Sequence, residues 1–443
     1  MGKKFAFIGA GSLGFTRPLV RDILSFDAFK DAEIHLMDIS EERLGYVKKA
    51  IQKLIDAGNY PATVHTTTDR KTALDGADGV LITILQGGVN VWRHDIEIPM
   101  KYGVDTNVGD TRGPSGVFRF LRTAPAMLDI IRDIEKLCPD AIVLNYTNPM
   151  AMLCGYLQRM SKVKITGLCH SVQGTADMLA GWIGAKSGEY TYTCAGVNHQ
   201  AFYLDFKVNG KDAYPLIHDK VSNDLDILNT EQVRNEMYLQ LGYYPTESSG
   251  HNSEYLPWFR KRKDLIEKYC THGTGWNPGE YAFILNEYLN TQTTWEDQFN
   301  EFINKDEVDL ARGGEYASNI FNAIFGDGQP FMFNGNQLNN KIITNLPDLA
   351  CVESPVLASP LGLQCMHIGD LPSNLALLNN ITAQIEMMAV NAVIEGDPWL
   401  VYQANLFDPL SAAVLSMAEI KEMTQEMLNK NADFLGYLKS LKI

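Results

Sequence analysis

A thiol and an imidazole stand at a spacing that suits a first-row metal ion. Cys169 and His170 directly follow an apolar run that predicts a strand, and His199 comes thirty residues after Cys169. Ligands tend to bind at the carboxyl ends of the strands in an open parallel sheet. Cys169 and His199 could therefore share one cation that leaves positions open for substrate oxygens. From spacing alone, a buried small cysteine and a hydrogen-bonded histidine are the favoured alternative.

A glycine motif near the N-terminus indicates a dinucleotide site. The segment Gly9-Ala10-Gly11-Ser12-Leu13-Gly14 fits G-x-G-x-x-G, follows an apolar run and opens a helical pattern. Gly9 permits the tight turn, Gly11 lets the backbone approach a pyrophosphate, and the helix N-terminus favours the anion. Asp38 ends the next apolar run, where its carboxylate would accept hydrogen bonds from the adenine ribose and favour NAD over NADP. The alternative is a structural turn followed by a solvated aspartate.

The first half of the chain alternates short apolar runs with amphipathic stretches, which predicts a doubly wound α/β domain with a parallel sheet. Predicted strands are Lys4 to Ile8, Glu33 to Met37, Gly79 to Leu85, Ala141 to Tyr146 and Lys164 to Leu168. Predicted helices include Arg17 to Ser25, Glu41 to Ala57 and Arg122 to Leu137.

The pattern becomes irregular after about Thr193, where we expect a second, α+β domain. It contains aromatic-rich loops over Gly242 to Phe259, a hairpin near Asn209-Gly210 and long helices toward the C-terminus. We therefore predict an NAD-binding domain over residues 1–193 and a catalytic and oligomerisation domain over residues 194–443.

The composition argues against nucleic acid and membranes as partners of this chain. The net charge of -15 opposes binding to nucleic acid, and no apolar run approaches the length that spans a membrane. The charged start runs into the glycine motif at once, so we expect no signal peptide. The seven cysteines are odd in number and scattered, which favours reduced thiols and a cytoplasmic location.

Several further segments make the pattern specific to one family. In order along the chain, the segments that resemble glycoside hydrolase family 4 are Gly9-Ala10-Gly11-Ser12, Gly109-Asp110-Thr111-Arg112-Gly113-Pro114, Leu144-Asn145-Tyr146-Thr147-Asn148-Pro149-Met150, Gly167-Leu168-Cys169-His170-Ser171-Val172-Gln173-Gly174, Gly196-Val197-Asn198-His199, Thr246-Glu247-Ser248-Ser249, Glu254-Tyr255-Leu256-Pro257-Trp258-Phe259, Glu315-Tyr316-Ala317-Ser318, Asn345-Leu346-Pro347 and Gly369-Asp370-Leu371-Pro372. The resemblance spans essentially the whole chain. It implies a Rossmann-type sheet like that of lactate and malate dehydrogenases.

The resemblance also implies the chemistry. Bound NAD would take a hydride from C3 of the sugar and return it, with elimination across C2 and C1 and addition of water between the two steps; the usual pair of carboxylates is not used. A divalent cation, Mn²⁺ in most of the family, would be held by Cys169 and His199. We expect a sugar substrate and a homodimer or homotetramer.

The family's functional residues carry over position by position. The resemblance implies that His170 is the acid that protonates the leaving group and that Tyr255 is the base at C2, with His251 or Glu254 as alternatives. It implies that Asp110 and Asn148 contact the sugar near the metal and that Asn145 lies on the nicotinamide side. The implied NAD contacts are Gly9, Gly11, Ser12, Gly14 and Asp38.

The residues after Cys169 bear on the substrate. Cys169-His170-Ser171-Val172 has the form associated with α-galactosidases, whereas phospho-glycosidase members carry Cys-Asp or Cys-Asn. An α-galacturonidase of the same family is the alternative, because Arg93 could face a uronate, although a surface arginine is the favoured interpretation. From other classes, an NAD-dependent sugar dehydrogenase or a non-enzymatic NAD-binding protein would share the glycine motif but would not need Cys169 and His199.

Overall fold

We describe the protein from a computed structural model, which describes residues 2–271, 277 and 279–443. The strands form a nine-stranded sheet and a three-stranded sheet. In chain order they are β1 Lys4–Ile8, β2 Glu33–Met37, β3 Thr63–Thr67, β4 Gly79–Ile82, β5 Ile142–Asn145, β6 Lys164–Gly167, β7 Tyr190–Ala195, β8 Phe202–Val208, β9 Lys211–Asp212, β10 Phe331–Leu338, β11 Cys351–Ser359 and β12 Gly362–Cys365.

The helices connect and cover these strands. They are α1 Leu13–Leu24, α2 Glu41–Ala57, α3 Arg70–Leu74, α4 Gly88–Lys101, α5 Gly113–Leu137, α6 Met150–Met160, α7 Ser171–Trp182, α8 Tyr214–Asn223, α9 Leu225–Thr230, α10 Gln232–Leu241, α11 Ser249–Tyr255, α12 Lys263–Tyr269, α13 Phe283–Asn304, α14 Tyr316–Phe325, α15 Ser373–Glu395, α16 Pro398–Leu406, α17 Pro409–Val414 and α18 Met417–Lys430. Within the described ranges, no helix has both the length and the apolar character to cross a bilayer.

The first six strands confirm the predicted doubly wound sheet. They are parallel and lie in the order β3-β2-β1-β4-β5-β6, which is the order of a dinucleotide-binding sheet. All five predicted strands form, and β1 and β2 match their predicted bounds. The sixth, β3, was not predicted because this edge strand has the sequence TVHTT, with Val64 as its single buried residue.

Alternating side chains of the strands fill two cores, one on each face of the sheet. Ala6 and Ile8 lie in a core with α5, α6 and the C-terminal helices, whereas Phe5 and Phe7 lie in a core with α1, α2 and α14. This alternation follows from the two-residue period of a strand.

The second half of the chain extends the same sheet. Strand β10 pairs antiparallel with β6 through Asn336 and Gly167, and β11 and β12 follow it outward. The side-chain amide of Gln158 donates hydrogen bonds to the carbonyls of Ile165 and Asn336 and so joins the two strands from α6. The division at residues 193 and 194 falls inside β7, so the two predicted domains share continuous secondary structure.

The small sheet, in the order β7-β8-β9, contains the expected hairpin at Asn209 and Gly210, both with positive φ. In contrast, the segment from Gly242 to Phe259, expected to be loops, contains helix α11. All seven residues of α11 are buried, and the Ser248 hydroxyl caps the helix by accepting from the His251 amide. A short helix buried on all sides has no amphipathic period, so the sequence pattern could not reveal it.

A buried ion pair between Arg122 and Asp95 also binds Asn431 and so joins the C-terminal part of the chain to the sheet domain. The guanidinium of Arg122 donates to the Asp95 carboxylate at 2.7 Å and to the Asn431 side-chain oxygen at 2.6 Å, and the Asn431 amide donates to Asp95 at 3.1 Å. Both side chains of the ion pair are fully buried. The network ties α4, α5 and the end of α18 together.

We expect the substitution Asp95→Asn to lower the free energy of unfolding by about 3–5 kcal/mol, because it leaves a buried guanidinium without its counter-charge. Urea unfolding would measure the loss. The matched control is Arg93→Gln, which removes an exposed pair with Glu97 on the same helix and should cost less than about 1 kcal/mol. Equal losses in the two variants would contradict the structural role of the buried pair.

Candidate active site

Three ligand atoms meet at the carboxyl edge of the large sheet. Cys169 follows β6, His199 lies in the connection from β7 to β8, and Glu247 precedes α11. The Cys169 Sγ atom lies 3.2 Å from His199 Nε2 and 3.8 Å from Glu247 Oε2, and His199 Nε2 lies 3.3 Å from the same carboxylate oxygen. A thiol, an imidazole and a carboxylate at these distances can converge on one cation.

Hydrogen bonds fix which nitrogen of His199 faces the cluster. The Thr111 hydroxyl donates its proton to Asp110 Oδ1 at 2.7 Å, so it can only accept from His199 Nδ1, which lies 3.1 Å away. With Nδ1 protonated, Nε2 presents its lone pair toward Cys169 and Glu247. A second residue that holds the other ring nitrogen is the usual support of a metal-ligating histidine.

Burial sets the charges of the cluster. It lowers the pKa of His199 to about 4, against the opposing effect of Glu247, so the imidazole is neutral at pH 7. Burial, assisted by Glu247 and Glu353, raises the pKa of the Cys169 thiol well above its usual value. Burial would also raise the pKa of Glu247, but His251 and His199 lower it to about 2. A buried carboxylate beside two neutral ligands favours a cation, whose charge would in turn favour the thiolate.

Asp110 and Asn148 lie beside this cluster. The Asn148 amide donates to Asp110 Oδ2 at 2.9 Å, and Asp110, His199 and His251 form a second group of possible ligands that shares His199. Burial would raise the pKa of Asp110, but His251, Arg119 and His199 outweigh it and hold the pKa below its usual value. Both sugar-contact candidates therefore stand at one edge of the cluster.

Tyr255 enters the cluster from α11. Its hydroxyl lies 3.3 Å from His199 Nδ1, and the Arg112 guanidinium stands over its ring at 4.6 Å. Burial, and then the Asp110 carboxylate, raise the pKa of the phenol well above its usual value, and Arg112 opposes this shift. The phenol therefore needs further positive charge nearby before it can act as a base.

The two alternatives to Tyr255 lie on the same helix in different surroundings. His251 joins the cluster through its Nδ1 atom, which lies 3.3 Å from Glu247 Oε1 and 2.7 Å from the Ser248 hydroxyl. Glu254 instead accepts three backbone N–H groups, those of Asn107, Val108 and Gly109. Its carboxylate holds the loop that leads to Asp110.

His170 turns away from the cation ligands. Its Nδ1 atom lies 2.9 Å from Glu315 Oε1, its ring stacks on Phe15 with centroids 6.3 Å apart, and its side chain is 55% exposed. The hydrogen bond to Glu315, opposed by burial, raises the pKa of His170. An accessible imidazole with a raised pKa is suited to act as an acid.

The glycine loop has the shape of a phosphate cradle. Gly9 has φ +88°, and a Cβ atom there would lie 2.2 Å from the Thr83 carbonyl oxygen. Gly11 donates its N–H to Asp38 Oδ2 at 2.8 Å, and a Cβ atom on Gly11 would lie 2.6 Å from the same oxygen. Ser12 begins α1 without a side-chain cap, so its hydroxyl leaves the first-turn N–H groups to a ligand. Around Gly14 a Cβ would meet only the Ser12 hydroxyl, at 3.9 Å.

Asn145 is buried and satisfied within its own loop. Its amide donates to the Thr147 carbonyl at 3.0 Å, and its side-chain oxygen accepts from the Thr147 N–H at 3.0 Å. The side chain therefore shapes the loop that presents Asn148. Its predicted position on the nicotinamide side stays a prediction, to which this geometry adds no free polar atom.

The comparison with known sequences now decides the family. The sequence model described as family 4 glycosyl hydrolase matches residues 4–185, and the model of the C-terminal domain of that family matches residues 194–411. The chain belongs to the family 4 glycosyl hydrolases. An alpha-galactosidase of Rhizobium meliloti (strain 1021) is 36% identical over 98% of this chain and 89% of its own length.

Two further relatives from family 4 are named for the two candidate substrate classes. An alpha-galactosidase of Bacillus subtilis (strain 168) is also 36% identical, over 98% of this chain and 99% of its own length. An alpha-galacturonidase of Thermoanaerobacterium saccharolyticum is 27% identical over 97% of this chain and 96% of its own.

Solved structures show the same fold. A 6-phospho-alpha-glucosidase from gut microorganisms, in complex with NAD and Mn²⁺, has a TM-score of 0.82 at 19% identity and covers both chains fully, at 100%. The malate dehydrogenase of Cryptosporidium parvum has a TM-score of 0.51 at 15% identity over 88% of this chain and 100% of its own. The expected Rossmann-type fold, with a sheet like that of malate dehydrogenase, is confirmed.

The family 4 chain contains site residues that sequence reasoning missed. Glu247 lies in a segment that resembles the family, but no role was assigned to it. Thr111 and Arg112 were likewise quoted without a role. The signal for Glu247 was weak, because one acidic residue among Thr246, Ser248 and Ser249 is typical of a helix start. Its positive φ of 66° and its distance to His199 appear only in the folded chain.

We expect the substitution Glu315→Gln to lower the pKa of His170, because it removes the carboxylate that stabilises the imidazolium. Titration of the His170 ring by NMR would measure the shift. Since the native pKa is raised, the proton should be lost at lower pH in the variant than in the parent protein. The exposed substitution Glu97→Gln serves as the control and should leave the titration unchanged; an unaltered His170 in Glu315→Gln would show that the pair is not formed in solution.

Proposed function

We propose that this family 4 glycosyl hydrolase is an α-galactosidase that cleaves terminal α-galactosides by oxidation, elimination, addition of water and reduction at C3, C2 and C1 of the sugar. The observation that carries the proposal is the cluster of Cys169, His199 and Glu247 at the sheet edge that also bears the glycine loop. When bound, NAD supplies reversible hydride acceptance and a divalent cation supplies Lewis acidity.

The donor set fits a divalent cation, with Mn²⁺ as the proposed ion. Thiolate alone is a soft partner for Mn²⁺, which prefers oxygen, and the Glu247 carboxylate adds the oxygen ligand that the sequence analysis lacked. His199 offers Nε2 because Thr111 holds Nδ1. The same donors also suit Zn²⁺, so the identity of the ion is part of the test.

The glycine loop fits a dinucleotide pyrophosphate. The backbone cradle at Gly9 and Gly11 leaves no room for a side chain, and α1 begins there without a side-chain cap on its first-turn N–H groups. Asp38 stands at the end of β2 with a carboxylate for the ribose hydroxyls and would repel a 2′-phosphate, which supports NAD over NADP.

The residues of the cluster divide the proton transfers. Tyr255 is the proposed base at C2, and its phenol gains acidity from Arg112 and from positive charge placed beside His199. His251 is the alternative base, since its ring also stands in the cluster. Glu254 is not proposed as the base, because its carboxylate is occupied by three backbone N–H groups. His170, whose pKa is raised by the hydrogen bond to Glu315, is the proposed acid for the leaving group.

Sugar hydroxyls would bind between the cation ligands and the loop after β5. Asp110 accepts and Asn148 donates in a fixed pair, so each still offers hydrogen-bonding positions to a hydroxyl. We place the sugar on these two residues.

The proposed substrate class rests on sequence identity to named relatives and on the charge that a uronate would require. The galactosidases named above share 36% identity with this chain, against 27% for the galacturonidase. Recognition of a uronate needs a cationic side chain for its carboxylate, and the candidate Arg93 is exposed on α4 and paired with Glu97. These two points favour a galactoside, and a galacturonide is the alternative substrate.

The Cys169→Ser substitution should abolish metal-dependent hydrolysis while NAD binding stays near normal, because the cation ligand is lost and the glycine loop is untouched. Glu247→Gln should weaken Mn²⁺ binding by about tenfold or more, since it replaces an anionic ligand with a neutral side chain of similar shape. Calorimetry with Mn²⁺ and fluorescence titration with NAD would separate the two sites. Cys365→Ser, at an exposed cysteine, is the control. Full activity in Cys169→Ser would make that residue structural and overturn the proposed site.

The decisive assay is release of nitrophenol from an aryl α-galactoside by reduced protein, with NAD⁺ and Mn²⁺ each present or withheld. We expect turnover only when both are present. A faster reaction with an α-galacturonide at equal concentration would keep the mechanism and replace the substrate. Stoichiometric NADH without nitrophenol would indicate a dehydrogenase instead. Binding of NAD without hydrolysis or redox turnover across a glycoside panel would favour a non-enzymatic binding protein.

Cellular setting and assembly stay predictions. The seven cysteines form no disulfide within the described residues, and six of them are buried, which agrees with a proposed reducing cytoplasm. A homodimer or homotetramer is proposed from family resemblance, and light scattering would measure the mass directly.

A further inference from the structure

A second group of metal-ligating side chains lies away from the carboxyl edge of the sheet. His35 on β2 and His65 on β3 are directly paired across the two parallel strands, and Glu33 stands two residues before His35. Residues in register point to the same face, as do residues two apart on one strand. All three side chains therefore project from one face of the sheet at its outer edge.

The three groups converge within ligand distance of one another. One ligand atom from each of Glu33, His35 and His65 lies within 4.8 Å of the other two. His35 Nε2 is 3.5 Å from Glu33 Oε2, and the two imidazole rings stack with centroids 4.7 Å apart and planes at 27°. Small rotations of exposed side chains would bring such atoms to the roughly 3 Å separation that two ligands of one ion adopt.

The accessibility and charge of the group suit a bound ion. The side chain of His35 is 13% exposed and that of Glu33 is 44% exposed, while His65 lies at the surface of the edge strand. The Glu33 carboxylate supplies the negative charge that favours a cation, and the nearby Lys4 ammonium, which opposes a cation, donates to the carbonyls of Thr72 and Asp75.

We propose that Glu33, His35 and His65 form a second metal site, separate from Cys169 and His199, that takes Zn²⁺ or a closely similar first-row divalent cation. Two imidazoles and one carboxylate are a donor set of such ions, and water would complete the coordination. The ion would cross-link β3 to β2, three residues before Asp38. It would therefore stabilise the edge of the sheet that carries the ribose-binding carboxylate.

An ordinary cross-strand contact is the competing interpretation. Paired side chains on neighbouring strands stabilise a sheet without any ion. The two interpretations differ in their response to added metal, because a cross-strand contact does not change when Zn²⁺ is supplied. The ion-binding interpretation makes both histidines necessary for the same binding event.

The test uses the full chain with bound NAD, carrying Cys169→Ser, His199→Gln and Cys365→Ser, which remove a ligand from both possible active-site groups and the exposed thiol. Titration calorimetry with Zn²⁺ should give one binding event per chain. Adding His35→Gln or His65→Gln should raise the Kd for Zn²⁺ by about tenfold or more. Loss of a residue that only supports a metal ligand already weakens metal binding to that extent, and loss of the ligand itself should weaken it at least as much. His218→Gln, at an exposed histidine on α8, is the control and should bind as the background does.

Thermal unfolding gives a second measurement. Zn²⁺ should raise the Tm of the background and of His218→Gln but not that of His65→Gln, and NAD binding in each variant reports correct folding. No Zn²⁺ binding in the background, unchanged affinity in both ligand variants, or an equal loss in His218→Gln would each overturn the site. These results are independent of hydrolytic activity, so the site can fail while the proposed function stands.

Discussion

The buried imidazole of His199 is the point on which the geometry of the site depends. Its Nδ1 atom is held by Thr111 from the loop before α5, and its Nε2 atom faces Cys169 after β6 and Glu247 before α11. Each of these neighbours comes from a different segment of the chain. Because a buried polar ring must satisfy both nitrogens, the three segments are fixed relative to one another. The loop at His199 accepts the left-handed conformation that this position requires.

A second set of buried charges contacts the loop that contains His199. Arg112 donates to the Asn198 carbonyl at 2.5 Å and to Glu386 of α15 at 3.4 Å, and its guanidinium also covers the Tyr255 ring. Burial raises the pKa of Glu386 to about 7, and Arg112 opposes the shift. The pair therefore connects α15 to the residues beside His199. Burying charge is costly unless it is paired, so the arrangement specifies one geometry rather than adding much stability.

The shared sheet explains how residues far apart in the sequence reach one edge. Strand β10 covers the outer side of β6, so the strand that presents Cys169 becomes internal instead of remaining at an edge. On this outer side Asn336 of β10 pairs with Gly167, and the Gln158 side-chain amide donates to the Ile165 carbonyl, so β6 is not left as an open edge. The small sheet then projects the His199 connection toward the same place, with Gly196 bridged to Glu353 of β11.

The sequence by itself determined the parallel sheet, the glycine loop with Asp38 and the family, because these follow from local patterns of strand, turn and residue type. The pair Cys169 and His199 was predicted only through the family resemblance, and the folded chain brings the two side chains together. It did not reveal strand β3, whose side chains are mostly polar, or helix α11, whose burial on all sides removes any period. Tertiary structure alone brought Glu247 to His199, occupied Glu254 with backbone N–H groups and turned His170 toward Glu315. Those outcomes depend on contacts between distant segments, and local pattern carries no information about which distant atoms will share a hydrogen bond or a charge.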